Sequence, residues 1–252
     1  MIQLKSAREI DTMARGGRIL AAAHDHVRAA IRPGVSTAHL DALAEEFIRS
    51  HEGATPAFKG LYGFPGSVCL SINEEIVHGI PSPKRILKEG DILSVDIGVK
   101  YEGMFTDAAQ THPVGQVSAL HQRLLDVTKA SLQAAIDATV LGNHIGDIGH
   151  AVQTLVEAAG FSVVRELVGH GVGFVPHEEL QVPNYGKPKR GTKLMAGMTL
   201  AIEPMVNIGT AAIRTLSDKW TMVSADAKWS AHFEHTVAVT AKGPRILTNI
   251  DS

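Results

Sequence analysis

Between Ala7 and about Ile31, apolar residues recur with the spacing of an amphipathic helix. The Ser6-x-x-Glu9 pattern ahead of them is that of a capping box, in which two side chains satisfy backbone donors left open by the first turn. Pro33-Gly34 ends this helix. A shorter helix is expected to begin near Ser36 or Thr37, to bury Leu40, Leu43 and Phe47, and to stop by Gly53. From about Ala57 to Val114 the pattern is that of strands punctuated by Gly and Pro. The order then recurs. Ser118 caps a helix with Leu120, Leu124, Val127 and Leu132 on one stripe, Leu141-Gly142 breaks it, a short helix runs from about Asp147 to Ala159, and strands fill the rest. Long helix, short helix and strands, twice over, predict an α+β domain spanning residues 1–252, built from related halves at about 4–115 and 118–248.

Carboxylates stand at matching places in the two halves. KEGDILSVD, ending at Asp96, aligns with MAGMTLAIE, ending at Glu203; Gly90 and Gly197 keep the same offset of 107 residues (197 − 90, as 203 − 96). From Ile92 to Val99 the chain alternates, with Leu93, Val95, Ile97 and Val99 on one strand face and Ile92, Ser94 and Asp96 on the other. Glu102-Gly103 supplies turn chemistry for a hairpin over 92–111. Asp96 and Asp107 are equidistant from the point between Tyr101 and Glu102, so they are expected to face each other, with Cβ atoms roughly 4.5–5.5 Å apart. Glu203 and Glu234 are similarly centred on Asp218-Lys219. Acids that end apolar runs and oppose one another are costly unless a cation lies between them. The four carboxylates therefore form a candidate metal site.

Composition narrows the class. The 252 residues are 44% hydrophobic and 20% charged, with a net charge of −2, which leaves no footprint for sequence-specific nucleic-acid binding. A single cysteine excludes an internal disulfide and suits a reducing compartment. The chain start lacks the apolar core of a signal peptide, and no apolar run is long enough to span a membrane. A cytoplasmic location and a monomer are expected. The basic run from Lys187 to Lys193 reads as a solvated loop.

Of the thirteen histidines, His170 lies in Gly169-His-Gly-Val-Gly173, where glycines permit close backbone approach around a projecting imidazole. A dinucleotide fingerprint is excluded there, because the glycine spacing is wrong and no helix follows. His177 follows in PHEE, and His78 lies in INEEIVHGIP. His24, His26, His39, His51, His121, His144 and His150 fall in helical stretches or caps, and His235 points to the face opposite Glu234; these read as structural. Cys69 reads as a nucleophile or as a buried pocket wall, and Trp220 as a cover for a site or for core.

Together, CLSINEEIVHGIP (69–81), the Asp96/Asp107 hairpin, GHGVG (169–173), AIEP (201–204) and FEHT (233–236) closely resemble type I methionine aminopeptidases over about residues 4–248. The resemblance is to the short bacterial form, without an N-terminal zinc-binding extension, and implies the pita-bread fold, a pseudo-twofold α+β domain. It also implies a two-metal centre using Co, Mn, Fe or Zn. Asp96 would chelate one ion, His170 and Glu203 the other, and Asp107 and Glu234 would bridge them. The resemblance further implies Glu203 as proton shuttle, His177 as oxyanion donor and His78 as holder of the scissile amide nitrogen. Leu61, Phe64, Cys69, Pro176 and Trp220 would line a methionine pocket, with Leu61 and Phe64 standing where the family has Tyr and Pro176 where it has Phe. The implied activity is removal of the initiator methionine from nascent chains whose second residue is small, with a transient ribosome contact through Lys187–Lys193. An X-Pro aminopeptidase or prolidase shares the fold and ligands but usually carries a further domain. A non-catalytic pita-bread binding module would have lost ligands, and a metallophosphoesterase has no claim on residues 69–81.

Overall fold

The computed structural model describes residues 2–249, so the outermost positions of the expected domain, 1 and 250–252, lie outside it. In the first half, α1 (Ala7–Ala30) and α2 (Thr37–Arg49) precede β1 (Ala54–Pro56), β2 (Cys69–Ile72), β3 (Glu75–Val77), β4 (Ile92–Tyr101) and β5 (Met104–Pro113). In the second, α3 (Ala119–Ala138) and α4 (Ile145–Ala158) precede β6 (Ser162–Val163), β7 (Gly169–Gly171), β8 (Glu178–Val182), β9 (Thr199–Ile202) and β10 (Met205–Asn207). The chain then continues through β11 (Ile213–Thr215), β12 (Met222–Ser224), β13 (Ser230–His232), β14 (His235–Thr240) and β15 (Gly243–Ile246). The recurrence read from the sequence is present, although much of 57–91 is loop rather than strand.

Local chemistry sets the helix limits. Ser6 and Glu9 complete the capping box of α1, and Ser36 and Ser118 each accept a hydrogen bond from the third residue beyond them. The fourth helix starts earlier than Asp147. That residue is the acid of the first turn, and its carboxylate accepts the His144 N–H at 2.7 Å, so the helix begins at Ile145. Two stripes are also rotated from expectation. In α2, Leu40, Ala44 and Ile48 are buried while Leu43 and Phe47 are only partly so. In α3, Leu124, Leu125, Leu132 and Ile136 face inward, and Leu120 is exposed at the first turn.

Each half buries one face of its sheet under its helices. Leu93, Val95, Ile97 and Val99 of β4 pack with Leu20, Val27, Leu40 and Ile48. Leu200 and Ile202 of β9, with Val237 and Val239 of β14, pack with Leu124, Ile136, Ile148 and Val152. A fully buried aliphatic side chain contributes about 1.5–3 kcal/mol, so these clusters fix which face of each sheet turns outward and which inward. In the first half β4 pairs with β1 and β2 on one side and β5 on the other; in the second the order is β15-β14-β9-β7-β8. The halves meet where β5 runs beside the 232–236 segment. Ala109 and Glu234 exchange backbone hydrogen bonds there, and Thr111 and Thr236 extend the seam with their hydroxyls.

Candidate metal centre and adjoining cavity

The carboxylates lie along one line of strand partners that crosses both halves. Cys69 pairs with Asp96, and Asp96 with Ala109. Ala109 pairs across the seam with Glu234, and Glu234 lies opposite Glu203, between the pairs His235/Ile202 and His232/Met205. Residues directly opposite in antiparallel strands share a face, as do residues two apart along a strand. Asp107, two before Ala109, and His170, which pairs with Ala201 two before Glu203, therefore join the same face. Pro204 has no N–H to donate, which accounts for the short break in the ladder at Glu203.

This corrects one expectation and agrees with another. Asp96 and Asp107 are not directly opposite. Tyr101 pairs with Met104 around Glu102-Gly103, so Asp96 faces Ala109, Asp107 faces Gly98, and the two acids are diagonal neighbours. The second pair is in register as read. The partners 199/238, 202/235, 205/232, 213/224 and 215/222 all keep one register in an interrupted hairpin whose tip holds Asp218 and Lys219.

The inner face is strongly acidic. Asp107 and Glu234 are buried, and Asp96 Oδ1, Asp107 Oδ1 and Glu234 Oε1 have no hydrogen-bond partner among the described residues. Burial, with Glu203 adding to it and His232 opposing, pushes Asp96 up to about 7. Burial and then the neighbouring carboxylates raise Asp107 and Glu234 well above the usual carboxylate range. Ligand atoms of Asp96, Asp107 and Glu234 fall within 4.8 Å of one another, as do those of His170, Glu203 and Glu234. His170 is oriented for such a role. Its Nδ1 lies 2.8 Å from the Gly171 carbonyl, which can only accept, so the proton sits on Nδ1 and Nε2 offers its lone pair 3.6 Å from Glu203 Oε1. Orphaned buried carboxylate oxygens beside a pre-oriented imidazole fit divalent cations.

A cavity of about 260 Å³ opens onto this face. Leu61, Phe64, Cys69, His78, His170, His177 and Trp220 line it with the acids. Phe64 and Trp220 meet edge to face with ring centroids 5.2 Å apart. Gly98 makes room for the wall, since a Cβ there would lie 2.6 Å from the Phe58 ring. Cys69 is buried, and burial followed by Asp96 and Asp107 raises its thiol well above the usual range; it stays protonated and serves as wall, not nucleophile. His78 adopts φ 60°, which turns its ring toward the cavity, 6.5 Å from Trp220. Pro176 does not line the cavity. The bend after β7 runs outward there, leaving Phe174 and Val175 exposed, and only His177 returns to the rim. The His177 ring lies 4.5 Å from that of His170. Although its outer side is open to solvent, burial of the rest and the adjacent His170 lower it to about 4. Its ligand atom also comes within 4.8 Å of those of Asp107 and His170.

The site contains residues that the sequence reading passed over. His232 is buried, with Nε2 3.6 Å from Glu203 Oε2 and 3.9 Å from Glu234 Oε2 and no hydrogen-bond partner for either ring nitrogen among the described residues. Strand alternation counted back from Glu234 carries the signal for it. Phe58, Tyr62, Val77, Leu167, Val168 and Met205 complete the lining; of these Tyr62 sits between Leu61 and Phe64, and Val77 within the 69–81 segment.

The family model described as metallopeptidase family M24 matches residues 11–241. The chain is 51% identical to a methionine aminopeptidase of Clostridium perfringens, over 99% of this chain and 100% of that one. A crystal structure of methionine aminopeptidase from Thermotoga maritima superposes with a TM-score of 0.97 at 43% identity, covering 99% of this chain and 100% of the other. The Xaa-Pro dipeptidase of Bacillus anthracis shares the fold, with a TM-score of 0.78 at 20% identity, but this chain covers only 61% of it.

Proposed function

Because the chain belongs to metallopeptidase family M24, where it groups with the methionine aminopeptidases, we propose that it removes the N-terminal methionine of nascent polypeptides whose second residue is small. The observation that carries this reading is the placing of an apolar, sulfur- and aromatic-walled cavity directly on the carboxylate face. A thioether side chain packs well against Phe64, Trp220 and Cys69, and no free charge lies on that wall to favour a polar residue.

Two divalent ions would be held by Asp96, Asp107, His170, Glu203 and Glu234, with Asp96 serving one, His170 and Glu203 the other, and Asp107 and Glu234 both. Such ions supply Lewis acidity and lower the pKa of water. The chain's own groups do the rest. Glu203, at the edge of the cavity, takes the proton of the attacking water and passes it to the departing amine. His177, neutral because its pKa is about 4, donates N–H to the oxyanion, and His78 holds the amide nitrogen of the second residue.

Mn²⁺, Fe²⁺, Co²⁺ and Zn²⁺ all match a mainly carboxylate donor set, and their relative activity is settled by assay. The exposed cations Lys187, Lys189, Arg190 and Lys193 support a transient ribosome contact. No described helix is long and apolar enough to cross a membrane. The deciding experiment is cleavage of Met-Ala-Ser against Ala-Pro-Ala with each metal in turn. Met-Ala-Ser is expected to be the better substrate, and Leu-Ala-Ser to trail by about 1–3 kcal/mol, because apolar shape discriminates weakly. Faster cleavage of Ala-Pro-Ala would establish the prolidase-like reading, and no cleavage with any metal would establish a binding module.

A further inference from the structure

The segment ahead of the first helix reaches the catalytic rim from outside. Lys5 sits immediately before the Ser6 cap, with its Nζ fully buried and 2.6 Å from Glu178 Oε1. The same ammonium donates to the Gln3 carbonyl at 3.1 Å, and the Lys5 backbone N–H donates to the Gly197 carbonyl at 2.7 Å. Glu178 is the residue after His177, and its Oε1 also accepts the Phe174 N–H at 3.0 Å. One carboxylate thus ties both ends of the 174–178 bend to a single buried cation. Gly173 lets the lysine through: a Cβ there would lie 2.4 Å from Lys5 Cε, and its φ is +148°. The Gly173 carbonyl is held in turn by the Phe105 N–H at 2.7 Å. Phe174 and Val175 are exposed, although the Lys5 Nζ lies 5.1 Å from the Phe174 ring centroid and the His177 ring stacks on Tyr62 with centroids 6.1 Å apart.

A lysine fully removed from water on a surface bend is costly, and a pair of this kind is retained for geometry more readily than for stability. We infer that Lys5 is a positioning residue for His177: through Glu178, the segment preceding α1 sets the height of the His177 ring over the carboxylate face. The inference rests on the reading of His177 as the oxyanion donor. Lys5 does not line the cavity over the carboxylate face. A displacement of about 1 Å in a catalytic group can cost up to about 100-fold in rate, which gives the anchor its leverage.

The test uses the full chain loaded with Mn²⁺ and a Met-Ala-Ser peptide. Lys5→Met is expected to lower kcat about 10-fold, with KM within about twofold, in line with the loss of a transition-state contact. Mn²⁺ affinity by calorimetry should be unchanged, and hydrogen exchange across 173–178 should accelerate. In a His177→Ala background, Lys5→Met should change kcat by less than about twofold, because the two act as one unit. Lys5→Met/Glu178→Gln strands no charge, carries the test if the single variant does not fold, and should remain as slow. Unchanged kcat in Lys5→Met, full multiplication of the two losses, loss of metal, or recovery in the Glu178→Gln double variant would each overturn the inference. If His177→Ala itself leaves kcat intact, the oxyanion reading is what fails, and the anchor stands or falls on the exchange rates of 173–178.

Discussion

Asp107 and Thr236 are joined by two reciprocal hydrogen bonds. The Asp107 N–H donates to Thr236 Oγ1 at 2.9 Å, and the same hydroxyl donates back to the Asp107 carbonyl at 2.8 Å. A side chain stands here in place of a backbone partner, and it ties the main chain of a candidate ligand in one half to the strand that carries Glu234 in the other. Thr236→Val keeps the shape and leaves a buried N–H and C=O unpaired, at about 1–3 kcal/mol for each. The metal-free protein should therefore lose about 2–6 kcal/mol in urea unfolding, and Thr236→Ser should recover most of it. A loss under about 0.5 kcal/mol would show that the seam does not depend on this hydroxyl.

Ala109 occupies the centre of the acidic face, paired with Asp96 on one side and Glu234 on the other. Its methyl leaves the space that three carboxylates surround. Ala109→Leu fills that space without changing any donor. Cation affinity should fall by about 10–100-fold, the range for disturbing what supports a ligand, while the circular dichroism spectrum stays native. Calorimetry giving wild-type affinity would place the ions elsewhere.

Asp107 belongs to two sets of ligand atoms that fall within 4.8 Å of one another, with Asp96 and Glu234 and with His170 and His177, whereas Asp96 belongs to one. If Asp107 serves both ions and Asp96 one, Asp107→Asn should reduce metal content and activity at least as severely as Asp96→Asn. Two ions bound at full affinity by the Asp107 variant would remove its bridging assignment.

The pH dependence of the metal-free protein follows from proton counting. Asp96 titrates at about 7 when folded and near the ordinary carboxylate value when unfolded, and Asp107 and Glu234 are shifted the same way. The folded state thus binds more protons, so stability falls as pH rises through the folded pKa. The buried histidines oppose this. His24 and His235 at about 4 and His112 at about 3 make stability rise with pH, but only up to their unfolded value near 6.5. Between about pH 6.5 and 8 the histidines no longer contribute and the raised carboxylates dominate the slope. The EDTA-treated protein should lose about 3–5 °C in Tm per pH unit for each carboxylate that stays protonated, and saturating Mn²⁺ should abolish the slope. A flat or rising Tm for the metal-free form over this window would contradict the acid assignment.

Much of the architecture is legible in local pattern because local chemistry decides it. Ser6 and Glu9 cap as read, and the alternation of Leu93, Val95, Ile97 and Val99 against Asp96 reports which face the helices cover. The pairing of Asp96 with Asp107 failed through the turn. Glu102 and Gly103, both at positive φ, are the two central residues, which shifts every partner of β5 by two from a turn centred between Tyr101 and Glu102. Pro176 failed for another reason: a bend without regular pairing has no periodicity to say which residues point inward. Lys5 and Glu178 are 173 residues apart, and no local pattern links them.

The hairpin from Thr199 to Ala238 keeps one pairing scheme from its base to its tip, and two of the candidate ligands, Glu203 and Glu234, lie opposite each other near its base. Its arms therefore change length only in step. Adding one residue to either arm between its glutamate and the tip forces a bulge or turns one glutamate away from its partner, because neighbouring strand positions face opposite sides. Removing one residue from each arm leaves both glutamates where they were. Insertions and deletions in this stretch are thus tolerated as matched pairs or at the turn itself, and the length of the hairpin can drift while the distance between its two acids does not.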